Sequence, residues 1–230
     1  MTKLNTIAEQ PSFDIELHEA DKPLACLILG HGAGAGKEHE FMQDIAKELV
    51  ARGISTVLFN FPYMQTIKAT GKRRPPDKAD KLMSHFTAVI ETCSKDNKAL
   101  HNLPVFIGGK SMGGRMATMV YEAVSNVKGA IALGYPFHPP GKPEKTRTDH
   151  LQTASKPLLI IQGERDTFGT KSEVEDYKKH NVLSTDIECA YLDDGDHSFK
   201  PRKASGKTQE EHIVTAATLT ASFIEAHLNN

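Results

Sequence analysis

The sequence predicts an α/β protein, a mostly parallel β-sheet covered by helices on both faces. Three observations carry that expectation. Short continuous apolar runs, at residues 24–29, 103–107 and 157–161, have no polar face, as strands buried on both sides do. Longer stretches between such runs repeat apolar residues at helical spacing. Residues with chemical character follow the apolar runs directly, where parallel sheets place their sites.

Taken in order, an early strand near residues 13–17 is expected to start the sheet. The run at 24–29 is a buried strand leading into His31-Gly32-Ala33-Gly34-Ala35-Gly36. Phe41, Ile45 and Leu49 then fall at i, i+4 and i+8, a helix stripe that Gly53 stops. Residues 54–59 form the next strand, followed by a loop through Pro62, Gly71 and Pro75-Pro76. Asp77 is placed to cap a helix that carries Leu82, Phe86 and Cys93 on one face. Residues 103–107 are a strand, and a helix from Ser111 to about Ser125 turns Met116, Val120 and Val124 inward. Residues 127–133 are a strand, and a Pro- and charge-rich irregular segment spans 134–156. The strand at 157–161, a helix at 172–179, a strand at 186–192 and a helix at 208–227 complete the chain. No repeat interrupts this alternation, so residues 1–230 are expected to form a single domain.

Composition excludes several function classes. A net charge of −1 gives no electrostatic reason to bind nucleic acid or an anionic membrane. No apolar run approaches the roughly 20 residues of a membrane span. Three cysteines, Cys26, Cys93 and Cys189, are odd in number and lack C-x-x-C spacing, which suits reduced thiols in an intracellular compartment. Residues 1–14 contain no apolar signal-peptide core, so the expected location is cytoplasmic.

The chemical residues form a pattern. Gly109, Ser111 and Gly113 make G-x-S-x-G at a strand-to-helix junction, where the strained backbone of the serine needs glycines on either side. Asp166 follows the strand at 157–161, and His197 follows the strand at 186–192. A serine hydroxyl becomes a nucleophile when a histidine takes its proton, and an acid fixes the tautomer of that histidine. Ser111, His197 and Asp166 are the candidates for those roles; Glu164, Asp193, Asp194 and Asp196 compete with Asp166. A tetrahedral intermediate also needs donors for its oxyanion. The backbone N–H of Met112 is one candidate and that of Ala33 the other, with Gly32 or Gly34 as alternatives in the same glycine loop. Tyr135, Phe137 and His138, in the irregular segment, are candidate pocket lining.

With this order of motifs the chain resembles the α/β-hydrolases, near the dienelactone-hydrolase-like branch. It is most similar to small bacterial α/β-hydrolases whose oxyanion loop reads H-G-A-G-A-G. The resemblance rests on His31 to Gly36, Gly109 to Gly113, Gly163-x-x-Asp166 and Gly195-Asp196-His197. It implies an α/β-hydrolase fold with a minimal lid, a small-molecule acyl substrate and no cofactor. Dienelactone hydrolases use a cysteine nucleophile, whereas this chain has Ser111. A catalytically silent scaffold on the same fold is the alternative reading.

Other motifs fail on their own terms. Gly36-Lys37 and Gly109-Lys110-Ser111 echo the end of a phosphate loop, but His31 and Pro104 stand where its leading glycine belongs. Gly30, Gly32 and Ala35 fit a dinucleotide fingerprint, yet the next strand ends in Asn60 and not in a ribose-binding acid. No zinc-type ligand spacing occurs, so no metal is expected. The basic segments at 68–78 and 200–207 read as solvated loop charge in preference to an anion site.

Overall fold

A computed structural model describes residues 13–96, 100 and 102–229 of the chain. Its elements are β1 (Ile15–His18), β2 (Ala25–Gly30), α1 (Glu40–Val50), β3 (Ile54–Phe59), α2 (Pro62–Thr70), α3 (Ala79–Asp96) and β4 (Val105–Lys110). They continue as α4 (Met112–Val120), β5 (Val127–Leu133), β6 (Leu158–Gly163), α5 (Lys171–Lys179), β7 (Ile187–Leu192) and α6 (Gln209–Ala226).

The seven strands make one sheet in the order β1-β3-β2-β4-β5-β6-β7. Only β1 runs antiparallel, against β3; every other pair is parallel. The physical basis is visible in β2, whose residues alternate between two cores. Cys26 and Ile28 join Phe59, Phe86, Ile107 and Met116 on one face. Leu27 and Leu29 join Ile45, Leu49, Phe106 and Ile213 on the other. Both faces of the strand are thus covered, which is why the run has no polar side.

The topology positions the site. From β2 the chain moves to β3 on one side, and from β4 it moves to β5 on the other. Such a reversal opens a crevice beyond the carboxyl ends of the two central strands. Gly30 of β2 is in register with Gly109 of β4, so the loops after these strands face each other across it.

Two expectations need correcting. The stretch from Pro62 to Gly71, expected as a loop, is α2, with proline in its first turn and Gly71 ending it at φ 68°. Both residues are helix punctuation, since proline suits a first turn and glycine the left-handed cap. The helix expected to reach Ser125 ends at Val120. Lys156 accounts for the early stop: its Nζ donates to the carbonyls of Tyr121, Val124 and Val127 at 3.0, 2.9 and 3.3 Å. Cys26 and Cys93 are buried and all three thiols are free; burial pushes Cys93 and Cys189 up to about 11. No helix among the described residues is long and apolar enough to cross a membrane.

Candidate active site

Ser111 joins β4 to α4 with φ 52° and ψ −114°. A non-glycine residue in so sparsely populated a region costs on the order of 1–3 kcal/mol, and its surroundings must hold it there. Its N–H donates to Leu133 O at 2.9 Å, and its carbonyl accepts from Arg115 N at 3.0 Å. The strained turn brings the serine to the wall of a cleft of about 600 Å³.

His197 Nε2 lies 2.8 Å from Ser111 Oγ, and His197 Nδ1 lies 2.7 Å from Asp166 Oδ2. An ionised carboxylate only accepts, so Nδ1 carries the ring proton and Nε2 accepts from the serine hydroxyl. Asp166 is fully buried. Besides His197 it accepts from Gln162 Nε2 at 2.9 Å and from Phe168 N at 2.8 Å. The Phe168 ring stacks on the His197 imidazole, 4.2 Å between centroids.

The competing acids are engaged elsewhere. Glu164 pairs with Lys171, Asp193 with Lys207, and Asp194 with Arg165 and Arg202. The Asp196 carboxylate accepts from the N–H groups of Ser198 and Lys200, and so shapes the loop that carries His197.

The glycine loop after β2 is held from beneath by two side chains. Tyr63 OH contacts the carbonyls of Gly32 and Ala33 at 3.2 and 3.0 Å. His31 is fully buried; its Nε2 accepts from Phe61 N at 3.1 Å, and its Nδ1 donates to Gly32 O at 2.7 Å. Ala33 and Gly34 are exposed and border the cleft with Gly32. Met112 is the first residue of α4, so its N–H has no partner inside the helix and stands at the positive end of the helix dipole.

That pattern of bonds requires a neutral imidazole at position 31, and burial pushes His31 down from an ordinary value near 6.5 to about 4. His150 is pushed down to about 4 in the same way. The unfolded chain therefore binds more protons than the folded one between pH 6.5 and 4, and stability falls as pH drops through that window. Urea midpoints measured across that window should show a loss of about 2 kcal/mol or more, and His31→Asn should flatten part of the slope.

The expected lining is elsewhere. Tyr135 and Phe137 are fully buried and pack on each other with ring centroids 4.8 Å apart. The Tyr135 hydroxyl donates to Arg147 O at 2.8 Å. His138 is buried 3.3 Å from Glu173 Oε1. These three lie beneath the irregular segment, where Tyr135 and Phe137 share a core with Val174 of α5 and the Phe137 ring packs against Tyr177. The cleft is bordered instead by the glycine loop, Phe41 and Met42 of α1, and Phe168.

Gln162 and Phe168 were not among the sequence candidates. A polar residue closing an otherwise apolar strand needs buried partners, and that signal points to Gln162. For Phe168 the signal is an Asx turn, in which Asp166 accepts from the N–H two residues on. Lys110, also unforeseen, is buried beside the serine. Among the described residues no group of three or more His, Cys, Asp or Glu side chains is arranged to hold a metal ion.

Comparison with known proteins gives this geometry its family. The model of the α/β-hydrolase domain matches residues 23–225. The chain belongs to that family. Among solved structures this α/β-hydrolase is similar to a dienelactone hydrolase from Anabaena variabilis, at 18% identity and TM-score 0.69, over 94% of this chain and 92% of that one. It is similar to a serine hydrolase without lid from Xanthomonas campestris, at 16% identity and TM-score 0.68, over 95% and 90% of the two chains. It is also similar to Est1E from Butyrivibrio proteoclasticus, solved with ferulic acid, at 14% identity and TM-score 0.68, over 95% and 96%. At these identities the likeness is one of fold.

Proposed function

We propose that this α/β-hydrolase is a serine esterase, cleaving an ester or related acyl bond through an acyl-enzyme on Ser111. The observation that carries this is the hydrogen-bonded chain Ser111–His197–Asp166, on a strained turn at the edge of a cleft. His197 takes the hydroxyl proton as Oγ attacks the carbonyl, then gives it to the leaving alcohol. Asp166 holds the proton on Nδ1 and stabilises the imidazolium as it forms. Water repeats the sequence and releases the acid. The N–H groups of Met112 and Ala33 would receive the oxyanion. Phe41, Met42 and Phe168 give the cleft apolar walls suited to a small acyl group.

Labelling by a fluorophosphonate probe tests the reading, together with turnover of p-nitrophenyl esters of increasing acyl length. A folded protein that takes no probe and cleaves none of these esters is the silent scaffold, and the proposal fails. A second test addresses the oxyanion loop. Tyr63→Phe removes the hydroxyl from two loop carbonyls without emptying the ring site. It should lower kcat by about tenfold with KM little changed, since a loosened donor matters most in the transition state.

A further inference from the structure

Lys110 precedes the serine and takes no part in the scheme above. It is 9% exposed, and among the described residues its Nζ has no hydrogen-bond partner. Phe41 of α1 and Phe199 present ring faces to the ammonium, with centroids 5.5 and 5.8 Å away. The acids that act on it are Asp166, after β6, and Asp196, on the His197 loop. A Cβ built on Gly134 would lie 2.8 Å from Lys110 Nζ, 3.1 Å from His197 O and 3.5 Å from His197 Nδ1. One glycine, with no side chain to separate them, thus lies between the ammonium and the proton-bearing nitrogen of the imidazole. Lys200, the other lysine bordering the cleft, is exposed.

We propose that Lys110 is a positioning residue for the reaction, its buried charge acting on His197 to keep the imidazole in its base form in mildly acidic solution. The inference rests on the serine-hydrolase reading. Asp166 is fully buried and, among the described residues, His197 is its only ion-pair partner. An unbalanced carboxylate there would hold a proton on His197 and silence the base. The ammonium balances Asp166 in the resting site, and as a like charge it opposes a second proton on the ring. The phenyl faces keep it in place while offering no acceptor that would neutralise it.

The test is the acid limb of the kcat/KM–pH profile. Lys110→Met and Lys110→Gln should move that limb up by about one pH unit, and Lys110→Arg should return it to the wild-type position. A limb that stays in place in folded Met and Gln variants overturns the proposal, as does one that moves equally in the Arg variant. A second measurement needs neither substrate nor a variant at position 110. Burial pushes Lys110 down to about 8, so the His197 ring resonances of the wild-type protein, identified by their absence in His197→Gln, should show an inflection near that pH. Flat His197 resonances through pH 8 overturn the coupling whether or not an ester substrate has been found, which separates this inference from the esterase reading.

Discussion

Replacing Ser111 by alanine is expected to lower kcat/KM on any ester the protein turns over by about 10⁴-fold or more, and to abolish fluorophosphonate labelling. The size follows from the proposed mechanism. Ser111 Oγ is the atom that would form the covalent bond, and His197 Nε2, 2.8 Å away, then has no proton to take. His197→Ala and the double variant should cost about as much as Ser111→Ala alone, because the proposed mechanism uses the three residues as a unit. Stability should move the other way or not at all. Alanine keeps the N–H that donates to Leu133 and removes only the hydroxyl, so the strained turn survives. A folded Ser111→Ala protein that retains more than about a tenth of wild-type turnover would place the nucleophile elsewhere.

The second large effect is on stability. A Cβ at Gly113 would stand 2.1 Å from Gly30 O, 2.4 Å from Gly30 C and 2.8 Å from His31 O. All three are backbone atoms at the end of β2 or in the residue after it, so no flexible side chain can yield. Gly113→Ala must push the start of α4 away from β2, and overpacking of this kind costs roughly 3 kcal/mol. In a domain of this size that is a fall in melting temperature of about 10 °C. The same displacement separates Met112 from the glycine loop, so turnover should fall by roughly 10²-fold even where the variant is folded. Gly34→Ala is the control: among the described residues no heavy atom beyond its chain neighbours lies within 4 Å of the added carbon, and the melting temperature should stay put.

Much of the fold can be read directly from the chain. Continuous apolar runs, the helix stripe of Phe41, Ile45 and Leu49, and the glycines around Ser111 are local patterns, each set by burial or backbone strain within a few residues. The helix from Pro62 to Thr70 is not legible in the same way. Only Tyr63 and Met64 of its nine residues are buried, so its apolar stripe is too thin to announce a helix, and its punctuation resembled a turn.

The site divides along the same line. The sequence determined which residue types stand at the carboxyl ends of which strands, and so supplied Ser111, five candidate acids and His197. Only the tertiary structure decided which acid faces the imidazole: it brings Asp166 to His197 and ties Glu164, Asp193 and Asp194 to basic side chains, with Asp196 turned to its own loop. It also buried Tyr135, Phe137 and His138 in the core and enclosed Lys110 between two phenyl rings. The physical reason is range. Strand, helix and turn are decided by contacts a few residues apart, whereas a side chain's solvent, charge and partners come from elements distant in the chain, such as Phe41 and Phe199 at Lys110.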